Sequence, residues 1–218
     1  MGRLALIAGS TLREAGVPDG EWEVLQRHGE ASAYVLPHRI DHVANMRALV
    51  AAGCDRALAI SSVGGLREEL APGTLVVPDD FIALDAPPLT ALEGPEAHRV
   101  PGFDREWRRT VLDALADAGA QVVERGVYWQ ATGPRLETPA EIRLIARHAD
   151  VIGMTAASEC VVAGELGIRY ATLCVVDNLA NGVRESELTL AEITANRERT
   201  REELVALLAR VLPLLASE

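Results

Sequence analysis

Short apolar runs alternating with amphipathic stretches predict an α/β protein, a sheet flanked by helices with polar residues gathered where its strands end. Three observations carry this reading. Residues 4–8, 56–61, 74–78, 151–154 and 170–176 are too short for helices and apolar enough for buried strands. Aromatic content is only 4%, and the abundance of Ala, Val and Leu favours α/β over a β-sandwich. The 218 residues, 49% hydrophobic, suit one domain with a sizeable core, and no repeat, low-complexity tract or linker divides residues 1–218.

In chain order, the first strand, residues 4–8, runs into the turn Gly9-Ser10-Thr11, whose small residues allow either an ordinary strand end or close approach of a ligand. Residues 22–29 end in Arg27-His28-Gly29, an anion-holding pair or a solvated loop. Residues 41–53 read as a helix with Val43, Met46, Leu49 and Val50 on one stripe and Gly53 as its stop. Strand 56–61 meets the turn Ser61-Ser62-Val63-Gly64-Gly65, which lacks both a dinucleotide fingerprint and the Lys of a phosphate-binding loop. Strand 74–78 precedes Asp79-Asp80-Phe81-Ile82, and residues 86–103 form a Pro- and Gly-rich loop of the length that tends to be functional.

Residues 104–118 form a helix with Trp107, Val111, Leu112 and Leu115 on its apolar stripe, and 122–129 read as one strand. Thr138-Pro139-Ala140-Glu141 starts the next helix with a Thr cap, Pro at the first helical position and an acid three residues on. Glu137 stands just outside that start. Strand 151–154, helix 156–166, the apolar strand 170–176 and a long helix over residues 186–215, with Leu188 and Ile193 among its apolar positions, complete the chain.

Net charge is −11 with acids and bases interleaved, which argues against nucleic acid or an anionic membrane as partner but leaves room for a small anionic substrate. Cys54, Cys160 and Cys174 lie far apart in apolar surroundings, without metal spacing, and are expected as free buried thiols in a reducing compartment. No apolar run reaches the roughly 18 residues that span a bilayer, and the start is too short for a signal-peptide core, so a cytoplasmic protein is expected.

Ligands of open α/β sheets bind beyond the carboxyl ends of the strands, so Ser10, Ser61-Ser62, Glu137, Met154-Thr155 and Asn178 can converge on one site. Asn178 donates and accepts at once and can bridge N7 and O6 of a 6-oxopurine. An ionised Glu137 can accept from N1–H, a donor that adenine lacks. A phosphate nucleophile needs only positioning, which Ser hydroxyls, backbone N–H groups, Arg27 and His28 can give without a metal. Each residue also has a plain reading: Asn178 as a turn residue, Glu137 as a partner of the helix dipole, Met154 as core.

Taken jointly, Gly133-Pro-Arg-Leu-Glu-Thr-Pro-Ala-Glu141, Ala149-Asp-Val-Ile-Gly-Met-Thr155 and Cys174-Val-Val-Asp-Asn178 resemble the trimeric purine nucleoside phosphorylase and methylthioadenosine phosphorylase family. Arg27-His28-Gly29, Pro37 with Asn45, and Ser61 through Glu69 match in the same order, so the likeness covers nearly the whole chain. It implies a mixed central β-sheet flanked by helices and cytoplasmic phosphorolysis by a homotrimer, with inorganic phosphate as co-substrate and no cofactor. By position it implies phosphate contacts from Ser10, Arg27, His28, Ser62 and Thr155, and Met154 under the ribose. Glu137 and Asn178 would bind the base, where the adenine-specific branch has Ser and Asp. Ser61, Gly64 and Leu136 would be further substrate contacts. Leu190 falls where ordinary purine nucleoside phosphorylases place a His against the 5′-hydroxyl, which suits a 5′-methylthio or 5′-deoxy group. Within the family the chain most resembles 5′-methylthioinosine phosphorylase, with His98 reaching the 5′ end from a neighbouring subunit.

One departure stands out: only residues 11–26 separate Ser10 from Arg27, where the family carries a longer segment with extra strands. Either the sheet is trimmed around an intact phosphate pocket, or Arg27 and His28 are displaced. The alternatives to phosphorolysis of a 6-oxopurine nucleoside are a nucleosidase using water, with Glu159 or Asp177 as its base, a non-catalytic nucleoside-binding homologue, and methylthioadenosine phosphorolysis.

Overall fold

Each of the long central strands is apolar on both sides because helices cover both faces of the sheet. The computed structural model describes residues 2–13, 16–29, 33–184 and 189–218. Its elements are β1 (Arg3–Ala8), β2 (Trp22–Gln26), α1 (His42–Ala51), β3 (Cys54–Gly65), β4 (Leu75–Val76), β5 (Asp80–Ile82) and α2 (Arg105–Asp117). Then follow β6 (Val122–Val123), β7 (Val127–Gln130), α3 (Pro139–Ile145), β8 (Val151–Gly153), α4 (Ala156–Glu165), β9 (Arg169–Leu179) and α5 (Leu190–Ala216). The part of the expected C-terminal helix at Ser186 and Leu188 lies outside the described residues.

Among the described residues, nine strands form one mixed sheet with β3 and β9, paired in parallel, as its spine. The first half of β3 pairs in parallel with β1, and β1 with β2. At Gly64 and Gly65 the neighbour changes: β8 takes the place of β1 and runs antiparallel. Alternation assigns the faces. Leu4, Leu6, Leu58, Ile60, Leu173 and Val175 pack with Trp107, Val111 and Leu115 of α2 and Leu208 and Leu212 of α5. Ala5, Ile7, Ala57 and Ala59 point the other way, onto Met46 and Leu49 of α1 and Cys160 and Ala163 of α4. All three cysteines are buried and free.

Several expectations change. Ser61 to Gly65 belongs to β3 rather than to a turn, and β9 runs on to Leu179, so Asn178 is a strand residue. The stretch 122–129 is two strands. Asp79 breaks it, accepting from Gly126 N at 2.9 Å and Arg125 Nε at 2.9 Å while its own N–H donates to Gly126 O, which turns β6 toward β4 and β7 toward β5. On α1 the buried stripe is His42, Met46 and Leu49, at i, i+4 and i+7, and Val50 is exposed. Side-chain caps fix the helix starts where the sequence placed them: Asp104 accepts from Trp107 N, and Thr138 with Glu141 forms a capping box.

Gly65 marks where β3 leaves β1 for β8. A Cβ there would stand 2.5 Å from the carbonyl oxygen of Leu70, a backbone atom that cannot swing aside. Gly65→Ala is expected to cost about 1–3 kcal/mol through this overpacking, measured as a lower midpoint of urea unfolding with an unchanged slope.

Candidate active site

The strand ends that the sequence marks as polar surround a cavity of about 290 Å³. Ser10 follows β1, Arg27 and His28 follow β2, Ser62 and Gly64 lie on β3, Met154 and Thr155 follow β8, and Asn178 lies on β9; all line it. Leu136 and Glu137 enter from the loop before α3, and Leu190 from the first turn of α5. The short segment between β1 and β2 therefore leaves Ser10, Arg27 and His28 on one cavity. Two expected residues do not line it. Ser61 is the inward neighbour of Ser62 on an extended strand, and its buried hydroxyl bonds Thr172 Oγ1 at 3.0 Å. His98 is exposed in the loop after the helical turn at Pro95–Ala97 and lies away from the cavity.

Hydroxyls gather in one corner. Ser10 Oγ donates to Ser62 Oγ at 3.0 Å, and the Thr11 hydroxyl bonds the same oxygen. Thr155 starts α4 but makes no side-chain cap, because the Tyr128 hydroxyl accepts from Thr155 N at 3.2 Å and from Ala156 N at 3.3 Å. The Thr155 hydroxyl is thus not needed by its own helix.

Beneath this corner lies a buried ion pair. Arg27, 3% exposed, donates from Nε to Glu159 Oε1 at 2.5 Å and from Nη2 to Oε2 at 2.7 Å, and its Nη1 donates to Ile60 O at 3.1 Å. Tyr170 OH adds a bond to Glu159 Oε2 at 2.7 Å. Burial works against both charges, yet the attraction between them holds Glu159 below the usual carboxylate range and raises Arg27. Three of the five Arg27 N–H donors are used, so its fork can still donate into the cavity while its charge is balanced. Glu159, at 0% exposure with both oxygens taken, cannot act as a base for water.

His28 Nδ1 donates to Val35 O at 2.9 Å, since a carbonyl can only accept, and its ring stacks on Tyr34 at 5.1 Å. Burial lowers its pKa, with Arg27 acting in the same direction and Val35 against. A neutral His28 so oriented offers Nε2 as an acceptor.

On the other side, the loop bearing Glu137 is held at several points. Arg135 forms a two-bond pair with Glu141, which also accepts from Thr138 N, and Asn181 Nδ2 donates to Glu137 O at 3.4 Å. Gly133 has φ +66°, and a Cβ on it would lie 2.5 Å from Met154 Sδ, so this glycine lets the loop close onto Met154. Burial raises the Glu137 pKa.

A bulge shapes the β9 end of the cavity. Val176 pairs with Val63 but Asn178 with Gly64, leaving Asp177 as the extra residue. An extra residue breaks the alternation of faces, and both Asp177 and Asn178 line the cavity. Asn178 Nδ2 donates to Leu179 O at 2.9 Å, which fixes the amide orientation. Asp177 Oδ2 accepts from Arg197 Nε of α5 at 3.0 Å. Sequence reasoning did not find Arg197, which has no signal of its own. Glu159 did have one: it is a single carboxylate in the small, apolar helix face of α4, where a buried charge requires a partner.

The profile of the phosphorylase superfamily matches residues 15–213. The chain belongs to that superfamily. It is 38% identical over 192 residues to a probable 6-oxopurine nucleoside phosphorylase of Archaeoglobus fulgidus, covering 87% of this chain and 78% of that one. A probable S-methyl-5′-thioinosine phosphorylase of Methanocaldococcus jannaschii is 37% identical over 179 residues, covering 80% of this chain and 70% of its own. Among solved structures, a methylthioadenosine phosphorylase from Schistosoma mansoni in complex with adenine shares the fold, with a TM-score of 0.86, 20% identity and coverage of 100% and 93%.

Glu159→Gln would keep the shape of the buried pair but leave the Arg27 charge unbalanced. It is expected to lower stability by about 3–5 kcal/mol, measured by urea unfolding.

Proposed function

We propose that the chain cleaves the N-glycosidic bond of a 6-oxopurine nucleoside with inorganic phosphate, 5′-methylthioinosine or another 5′-modified inosine being the preferred substrate. The observation that carries this is the meeting of Glu137 and Asn178 with the Ser10, Ser62 and Thr155 hydroxyls around one cavity. The names of the relatives at 37–38% identity support the same substrate class.

In this reading phosphate sits in the hydroxyl corner, held by the remaining Arg27 donors and giving its own O–H to His28 Nε2, and one of its other oxygens bonds C1′ as the C1′–N9 bond breaks. The bonding electrons pass into the purine. Glu137 accepts from N1–H, and Asn178, its Nδ2 turned by Leu179 O, donates to O6 while Oδ1 accepts from N7–H once the departing purine has taken a proton from solvent at that nitrogen. The ribose lies on Met154. Leu36, Pro37, Ile193 and Leu190 give the cavity an apolar part suited to a 5′-methylthio group. Homotrimer assembly, with His98 of a neighbouring subunit at the 5′ end, belongs to the proposal. So do a cytoplasmic location, for which the free buried thiols argue, and a reaction that needs no metal or cofactor.

The direct test is base release from methylthioinosine, inosine and methylthioadenosine, each with and without phosphate. Phosphate should accelerate release from the 6-oxopurine nucleosides and yield the sugar 1-phosphate; a rate indifferent to phosphate would sink this reading. Asn178→Asp should shift preference from 6-oxopurines toward 6-aminopurines by about 10–100-fold, the effect of one mispaired buried polar group, read from the ratio of kcat/KM values. Leu190→His should raise inosine over methylthioinosine by roughly fivefold, about one hydrogen bond. An unmoved ratio would place the 5′ pocket elsewhere.

A further inference from the structure

His28 is held from two directions by the loop after β2. Val35 N–H donates to His28 O at 2.8 Å and His28 Nδ1 donates to Val35 O at 2.9 Å, so residues 28 and 35 exchange two bonds. These fix one edge of the imidazole. Tyr34 fixes its face: the two rings stack with centroids 5.1 Å apart and 14° between their planes. The Arg13 guanidinium lies over the same tyrosine, Cζ 4.9 Å from the ring centroid, where the ring attracts a cation. Arg13 stands in the short connection between β1 and β2, so the stack joins the two segments that deliver Ser10 and His28 to the cavity. Tyr34 is 49% exposed and lines the cavity, whereas His28 is 6% exposed. The tyrosine thus stands between the imidazole and solvent.

Burial is the largest influence on the charge of His28 and lowers its pKa; Val35 O and Glu159 act against it, and Arg27 and Arg13 act with it. We propose that Tyr34 is a positioning residue for the nucleophile: stacked on His28 and drawn to Arg13, it fixes the imidazole with Nε2 presented to the cavity as an acceptor. The inference rests on phosphate being the second ligand of the cavity. An acceptor there takes the O–H of hydrogenphosphate and leaves the oxygens without a proton for C1′. A protonated His28 would donate instead, and a turning one would let the nucleophile drift, which costs rate steeply. The ring of Tyr34 does this, not its hydroxyl.

Two readouts test this. The His28 pKa is followed by NMR without substrate, its signal assigned by its loss in His28→Gln. It should rise toward the ordinary value of about 6.5 in Tyr34→Ala, which uncovers the ring. It should rise by a smaller step in Arg13→Gln, which removes a cation that opposes protonation. Phosphorolysis is then measured at pH 8, where His28 is neutral in every variant and only its position differs. Tyr34→Ala should raise the phosphate KM by about tenfold, the worth of one charge-assisted hydrogen bond, and leave the nucleoside KM as in wild type. Tyr34→Phe, which keeps the ring and loses the hydroxyl, should restore both readouts. An unmoved His28 pKa in Tyr34→Ala, a nucleoside KM that rises as far as the phosphate KM, or a Tyr34→Phe variant as impaired as Tyr34→Ala overturns the assignment. Wild-type phosphate dependence that persists unchanged in Tyr34→Ala overturns it alone, whereas base release indifferent to phosphate in wild type overturns the substrate reading itself.

Discussion

The buried pair between Arg27 and Glu159 is the constraint on which the hydroxyl-lined half of the cavity depends. It ties the end of β2 to α4, while Nη1 reaches Ile60 O in β3 and Tyr170 brings in β9. Four elements thus meet on one guanidinium–carboxylate unit. Desolvation makes such a pair a poor source of net stability, but an unpaired member would be far worse. That asymmetry fixes geometry: the elements must arrive together or leave a bare charge inside the protein. With β2 so anchored, the short passage from β1 still delivers Arg27 and His28 beside Ser10.

The second half of the cavity depends on the β3–β9 spine. Parallel pairing brings the polar ends of both strands to one rim, and the bulge then interrupts the alternation that would otherwise send Asp177 and Asn178 to opposite faces. Arg197 ties the bulge to α5, the helix that also contributes Leu190, Ile193 and Thr194 to the cavity. The hydroxyl corner, the Asn178 amide and the apolar part of the cavity are therefore mechanically connected through one strand irregularity and one ion pair.

Much of this was legible in the residues. Apolar runs marked the central strands, capping residues marked the helix starts, and the polar strand ends marked the rim. What was not legible depends on partners distant in the chain. Gly64 and Gly65 look like turn residues, but they serve close backbone packing inside β3. The stretch 122–129 looks like one strand because its break is made by Asp79, from another segment. Arg27 and Glu159 are separated by 132 positions, and no local pattern joins them. Ser61 and Ser62 are equivalent by composition, and only strand alternation decides that Ser62 faces the cavity while Ser61 turns to Thr172.

The contact between Gly133 and Met154 bears on how this scaffold can diversify. The loop that carries Glu137 approaches Met154 to a distance set by the absence of a single methyl group. Exposed positions such as Leu136 can vary without disturbing that spacing, so the cavity lining on this side is open to drift by single substitutions. Position 133 is not. Any side chain there is strained by the positive φ and must displace the Met154 thioether or lift the loop off it, so changes in the Met154 position and in the Glu137 loop would be acquired together, as one evolutionary step.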